Sequence, residues 1–227
     1  MPLKQKCDSI IPFFSSIWLW DSVLHVRFNV RVRNETLPLE FDFGSDADLG
    51  RLRLWNRHSD PQAHESVTDA LEYARYAAKR WRSYRKEGRT LSSSDELRGA
   101  VERQPRGEFV FVLVARAKWH SSSPLMGFCF CRRTWCHHIV VDLAAVHPDA
   151  IPIAGGDVRG VGTGMFYSLV KVANELGVQT VWGEATENSA PFYQKLLGVA
   201  RVTDHFFITG EIFQHCLRGF ANLPGRA

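Results

Sequence analysis

Arg159-Gly160-Val161-Gly162-Thr163-Gly164 is the stretch of this chain whose residue types and spacing could do chemistry. Glycines let backbone N–H groups converge, a helix N-terminus favours an anion, and Arg159 adds a full positive charge at the rim. The chemistry implied is a phosphate or pyrophosphate cradle. A P-loop would need Lys followed by Ser or Thr after the last glycine, and Met165-Phe166 stand there instead. A dinucleotide fingerprint would need glycine at position 165. For the motif taken alone, a turn that serves only folding is the competing reading.

The flanks place this loop among other segments. Val146-His147-Pro148 precedes it, and Glu184-Ala185-Thr186-Glu187-Asn188-Ser189-Ala190-Pro191-Phe192-Tyr193-Gln194-Lys195-Leu196-Leu197-Gly198 follows it. In order and spacing these segments resemble the GNAT superfamily of N-acetyltransferases, over roughly residues 108–210. Two departures stand out. Leu196 and Leu197 both separate Lys195 from Gly198, one residue more than the family pattern, and Asp149 to Val158 make a longer connection before the glycine loop. Gly155-Gly156 could hinge that connection, and a plain flexible excursion is the alternative.

The resemblance implies an α/β (α+β) fold: a central mixed, mostly antiparallel twisted sheet flanked by helices, with a β-hairpin and helices in the N-terminal region. It implies that Arg159, Gly160, Val161, Gly162, Thr163 and Gly164 bind the pyrophosphate of acetyl-CoA, and that the backbone of Ala144, Ala145 and Val146 holds the pantetheine arm. Thr186 or Asn188 would contact the cofactor, with the register between them open. Asp142 matches a position where many members carry an acidic residue, and would take the proton of an attacking ammonium directly or through water. Orienting a loop or substrate is its alternative role. His138, His147 and Glu184 are the other candidates for the base. Tyr193 matches the tyrosine that protonates the departing thiolate, and packing under the cofactor is its alternative role.

These residues need elements to position them. Leu24, Val26, Phe28, Val30 and Val32 alternate with polar residues, as do Leu37, Leu39, Phe41 and Phe43, which predicts a hairpin of two half-buried strands. Pro38 suggests that the second is an edge strand. Asp46 or Asp48 could cap a short helix. A longer helix is expected from Ser66 or Thr68 to about Glu87, burying Val67, Leu71, Ala74, Ala78 and Trp81. Arg75, Lys79, Arg80, Arg82, Arg85, Lys86 and, just beyond, Arg89 make a basic tail, interleaved with Tyr73, Tyr76, Trp81 and Tyr84. That mixture reads as a solvated face, with a nucleic-acid grip as the sharper alternative. A second helix starts near Ser94 and ends before Pro105. Strands are expected over Glu108–Ala117, Leu125–Cys131, Ile139–Val146, Val178–Gly183, Val199–Thr203 and His205–Thr209. Helices are expected after Gly164, over Ser189–Leu197 and over Glu211–Phe220.

Composition bounds the rest. The 227 residues are 45% hydrophobic, enough for a real core, and carry a net charge of +4, which suits an anionic ligand without demanding nucleic acid. Five scattered cysteines do not form a disulfide framework, so a reducing, cytoplasmic compartment is expected. No apolar run reaches membrane-helix length. Cys131, Cys136, His137 and His138 lack the paired spacing of a zinc site, and no metal is expected. The organisation read from the sequence is an N-terminal hairpin and helices over 1–105, an acyl-CoA-binding core over 106–215 and a tail over 216–227. Trp18 and Trp20 are candidates to cover an edge of the core or to form an oligomer contact such as a homodimer's.

The function expected is transfer of an acetyl group from acetyl-CoA to an amine acceptor by direct attack in a ternary complex. The alternative is a module of the same fold that binds acyl-CoA, a protein or a nucleic acid without catalysis.

Overall fold

The computed structural model describes residues 25–56, 65–121 and 123–225. Trp18, Trp20 and the polar stretch around residue 60 lie outside the described residues. The chain forms β1 (Val26–Val32), β2 (Glu35–Phe43), α1 (Asp46–Leu52), α2 (Glu65–Lys86), β3 (Thr90–Leu91), α3 (Ser94–Arg103), β4 (Phe109–Arg116), β5 (Leu125–Arg133) and β6 (Ile139–Val146). Two 3-10 turns follow, then β7 (Val158–Arg159), α4 (Val161–Glu175), β8 (Val181–Glu184), α5 (Ala190–Leu197), β9 (His205–Ile208) and α6 (Gly210–Ala221). One mixed sheet runs β7-β1-β2-β4-β5-β6-β8-β9, with β3 beside β4. Every pairing is antiparallel except β3 with β4 and β6 with β8.

Period-two alternation sends one side of each strand into each of two cores. On one face Phe28, Leu39, Phe41, Leu113 and Ile139 pack with Leu97 of α3 and with Met165, Leu169, Tyr193 and Phe213 of α4, α5 and α6. On the other, Val112, Phe128 and Phe130 pack with Leu49 and Leu52 of α1 and Leu71, Ala74 and Trp81 of α2. Burying each large apolar side chain contributes about 1.5–3 kcal/mol, so these two clusters hold the sheet and helices in one body.

Several sequence expectations are corrected. β2 is an interior strand: it pairs with β1 along its length and with β4 from Glu40 to Phe43. Pro38 is tolerated because it lies before the β4 pairing begins, where β2 has one neighbour only. Residues 199–203 form no strand; the chain leaves α5 through Gly198 in the left-handed region, and the Val199 amide folds back to the Gln194 carbonyl. The two-residue strands β3 and β7 are too short to leave a periodic signal.

The cap of α1 is Ser45 rather than either aspartate. Ser45 and Asp48 form a reciprocal capping box, and Asp48 also accepts from Arg116 at 2.7 Å across the sheet. Burial favours the neutral form of Asp48, but the bonds from Arg116 and Ser45 outweigh it and hold the carboxyl below the usual range. A depressed folded-state pKa gives stability that is present above the ordinary carboxylate range and is lost as pH falls through the folded value. Asp48→Asn is therefore expected to cost about 2 kcal/mol at neutral pH, as for a hydrogen-bonded buried charge, with the deficit shrinking at acid pH. Urea unfolding at pH 7, 5 and 3 checks it; a deficit independent of pH would contradict it.

Candidate functional site

β6 and β8 run parallel and paired from Ile139 to Val141, and there the pairing stops. β6 continues to Val146 while β8 ends at Glu184, so a gap opens between two strands of one sheet. A bulge beside Phe130 and Cys131 of β5 puts one extra residue into β6 at this point, because Leu143 pairs with Phe130 and Val141 with Cys131. The extra residue is Asp142. A bulge flips the alternation that follows it. The His147 amide bonds the Met126 carbonyl on the β5 side. By alternation, the backbone groups of Ala144 and Val146 then face the open edge, and those of Ala145 face β5.

The start of α4 lies at the Val146 end of this gap. β7 delivers the chain to Gly160, whose φ of 97° lies in the left-handed region, and the helix begins at Val161 with no side-chain cap. Its first closing bond is from the Gly164 amide to the Gly160 carbonyl. The amides of Val161, Gly162 and Thr163 therefore have no carbonyl one turn earlier to bind, and they carry the positive end of the helix dipole. A Cβ at Gly162 would lie 3.1 Å from the Phe192 ring and 3.8 Å from Val146, so loop, strand end and α5 meet here.

Gly164, expected in the cofactor cradle, does something else. Its amide is used inside the helix, and a side chain there would run into the Phe28 ring on β1. Its role is close packing of helix on sheet. Gly164→Ala is expected to destabilise by about 1–3 kcal/mol through overpacking, more than the roughly 1 kcal/mol that alanine returns in helix propensity. A shift of the urea midpoint at constant slope checks it. Arg159 is also placed differently: its guanidinium folds back onto the Gly156 carbonyl, half-buried, instead of standing free at the rim.

Tyr193 is buried, stacked on Phe206 at 4.1 Å and edge-on to Phe166. Burial first, then Cys129, Tyr73 and Cys131 nearby, push its phenol far above the ordinary tyrosine range, so it keeps its proton at any physiological pH. Tyr193 packs in one core and Tyr73 beside the other. Burial also raises Tyr73, with further contributions from Asp69, Glu184 and Glu72.

Asp142 departs most from expectation. Arg132 grips it with Nε to Oδ2 at 2.6 Å and Nη2 to Oδ1 at 2.9 Å, and Arg80 stands 3.6 Å from Oδ2. Both oxygens are engaged by cations, Arg132 through a bidentate, charge-assisted pair. In the structure Asp142 makes an ion pair that fixes the bulge against β5 and α2. Asn188 donates to Asp69 of α2 at 3.0 Å, and Thr186 exchanges bonds with Ser189 at the start of α5. Both side chains serve local structure, Asn188 by tying the β8–α5 loop to α2. Of the other candidates for the base, Glu184 is exposed at the end of β8 and His147 is buried beyond β6.

The basic helix is partly accounted for as well. Arg80 pairs with Asp142, Arg85 with Asp46, and Arg89 with Glu108 and Glu87 while covering the Tyr84 ring. Gly155 adopts the left-handed region, and Gly156 packs tightly on the Asp149 and Ile151 backbone. That close contact makes Gly156 part of a packed turn rather than a hinge. Sequence reasoning missed Arg132, which lies opposite Val140 in the register and reaches the bulged Asp142 by its side chain alone, so no sequence pattern signals the pair.

No family model matches the chain, and no curated protein matches it. Among solved structures it is similar to nourseothricin acetyltransferase, with 23% identity and a TM-score of 0.31 over 38% of this chain and 48% of that one. It is similar to yncA from Salmonella typhimurium, solved with its cofactor acetyl-CoA, with 12% identity and a TM-score of 0.38 over 74% of this chain and 91% of that one. It is also similar to a cAMP-binding acyltransferase from Mycobacterium smegmatis, with 14% identity and a TM-score of 0.40 over 88% of this chain and 55% of that one. The chain spans about half the length of the first and the third. With every TM-score below 0.5, the functional reading rests on the geometry of the chain itself.

Proposed function

We propose that this chain is an N-acyltransferase that uses acetyl-CoA and an amine acceptor in a ternary complex. The observation that carries the reading is the gap between β6 and β8, with the open N-terminus of α4 at its end. A long thin ligand with a pyrophosphate at one end and an acyl thioester at the other suits that shape. The amides of Val161, Gly162 and Thr163 would hold the pyrophosphate, and the free edge at Ala144 and Val146 would pair with the amides of the pantetheine arm. Held there, the thioester carbonyl can accept from the Val146 N–H, which strengthens as the oxygen gains charge.

The amine attacks as the free base, the C–S bond breaks, and CoA leaves as a thiolate. Tyr193 donates a hydrogen bond to that thiolate. A phenol this strongly raised stabilises an anion by sharing its proton rather than by giving it up. With Asp142 occupied by Arg132, the ammonium proton goes to water or to Glu184 at the end of β8. Much of the rate gain in such a scheme comes from positioning.

The occupied Asp142 also favours a second reading, a domain that binds acyl-CoA without transferring the acyl group. The two separate in one experiment, release of CoA thiol from acetyl-CoA measured against a panel of amines. Release that depends on an amine supports the enzyme. Tight acetyl-CoA binding with no amine-dependent release supports the binding module.

A further inference from the structure

Pairing of β6 with β8 ends at Val141 and Gly183, and the next residue of β6 is Asp142, the extra one. The bulge also exchanges the faces of the strand. Val141 and Ala144 pack on the core shared with α4, while Leu143 and Ala145 pack on the core under α2. Regular alternation from Val141 would carry Leu143 to the α4 side instead. The gap therefore opens where the extra residue sits, and whatever holds Asp142 bears on the gap.

The Asp142 side chain is 7% exposed, and a carboxylate so far from water needs a partner. Arg132 gives it two bonds from β5, and Arg80 adds a second cation from α2, which packs on β6. Arg132 is itself held. Its Nη1 lies 3.7 Å from Glu108, and Glu108 also accepts from Arg89 at 3.0 Å. Charges of alternating sign thus run from Arg89 through Glu108, Arg132 and Asp142 to Arg80, which fixes the direction of the guanidinium. That direction matters because the strand order is β5-β6-β8. A grip from β5 draws the bulge away from β8, the side on which the gap opens.

We propose that Arg132, with Arg80 behind it, is a positioning residue of the acyl-CoA site: by gripping Asp142 it holds the bulge that keeps β6 apart from β8. The inference rests on the acyl-CoA reading of the gap. Arg132 itself touches no ligand and acts through Asp142 on the backbone of Ala144 and Val146. Without Arg132 the carboxylate keeps Arg80 alone, at 3.6 Å. It would then turn for water toward the gap, into the space of the pantetheine arm, and the bulge would loosen. Positioning and base chemistry at Asp142 predict different losses. Loosening the free edge weakens acetyl-CoA binding, whereas losing a base lowers kcat and leaves that binding alone.

The test pairs acetyl-CoA calorimetry with amide hydrogen exchange over residues 139–146 in the full chain, each variant first shown folded by circular dichroism. Arg132→Met is expected to weaken acetyl-CoA binding at least about tenfold, as for a broken buried pair, and to speed exchange over 139–146 by a similar factor without ligand. Arg132→Lys recovers part of both, because it keeps the charge and loses the second bond. Arg132→Met combined with Asp142→Asn loses no more than Arg132→Met alone, because both act through one contact. Arg85→Met, which breaks the pair with Asp46 elsewhere on α2, is the control and changes neither readout. A wild type that binds acetyl-CoA beside a folded Arg132→Met that binds it equally well overturns this role alone. So does lost affinity with unchanged exchange, or an Asp142→Asn that loses kcat and keeps its affinity. A folded wild type that binds no acetyl-CoA overturns the reading of the gap, and this role with it.

Discussion

Gly162→Glu is expected to weaken acetyl-CoA binding at least about a hundredfold while leaving the protein folded. The new carboxylate would stand in the first turn of α4, among the amides that have no helical partner. An acidic residue at a helix N-terminus favours the helix, so the fold gains rather than loses from the charge itself. The Phe192 ring must give by a few tenths of an ångström to admit the Cβ, and an aromatic ring on a surface-facing helix can swing that far. For the ligand the sign reverses. A carboxylate about 4 Å from a phosphate costs roughly 4 kcal/mol at the effective dielectric of a protein surface, far beyond a factor of a hundred. Titration calorimetry of both proteins reads the difference, and Gly162→Ala separates the steric part from the charge. Equal affinity in the wild type and the glutamate variant would remove the α4 N-terminus from the site.

Tyr193→Phe is expected to lower kcat about a hundredfold with little change in acetyl-CoA affinity, as for a lost hydrogen-bond donor to a developing anion. Among the described residues the phenol has no hydrogen-bond partner, and the ring packs on Phe206 and Phe166. Phenylalanine keeps that packing and breaks no internal bond, so the folded state should be as stable as the wild type or slightly more so. That separates the chemistry from the fold. A variant with full kcat would leave Tyr193 a packing residue. A variant with lost affinity and unchanged kcat would put its hydroxyl on the cofactor's ground state rather than on the leaving thiolate.

Much of this architecture was legible because burial writes itself into period. Leu39, Phe41 and Phe43 alternate because one side of β2 is sealed, and Val67, Leu71, Ala74, Ala78 and Trp81 recur because one face of α2 lies on the sheet. Gly177 and Gly198, both left-handed, mark helix ends as a missing Cβ allows. What stayed hidden depends on contacts distant in sequence. That β2 is interior follows from its pairing with β4, and β7 exists only because β1 offers an edge to Val158 and Arg159. In the site, the glycine run pointed to the right turn but could not separate a glycine that frees an amide from one that admits the Phe28 ring. The acidic residue on β6 was noticed by type, whereas its role was set by Arg132 on β5 and Arg80 on α2, which no local pattern joins to it.

The most direct measurement is a calorimetric titration of the wild-type chain with acetyl-CoA. If the gap between β6 and β8 is an acyl-CoA site, the heats fit one site per chain, with a dissociation constant of about 100 µM or tighter, roughly −5.5 kcal/mol or better. A folded protein that gives no binding heat with acetyl-CoA, and none with longer acyl-CoAs at several temperatures, would contradict the acyltransferase reading.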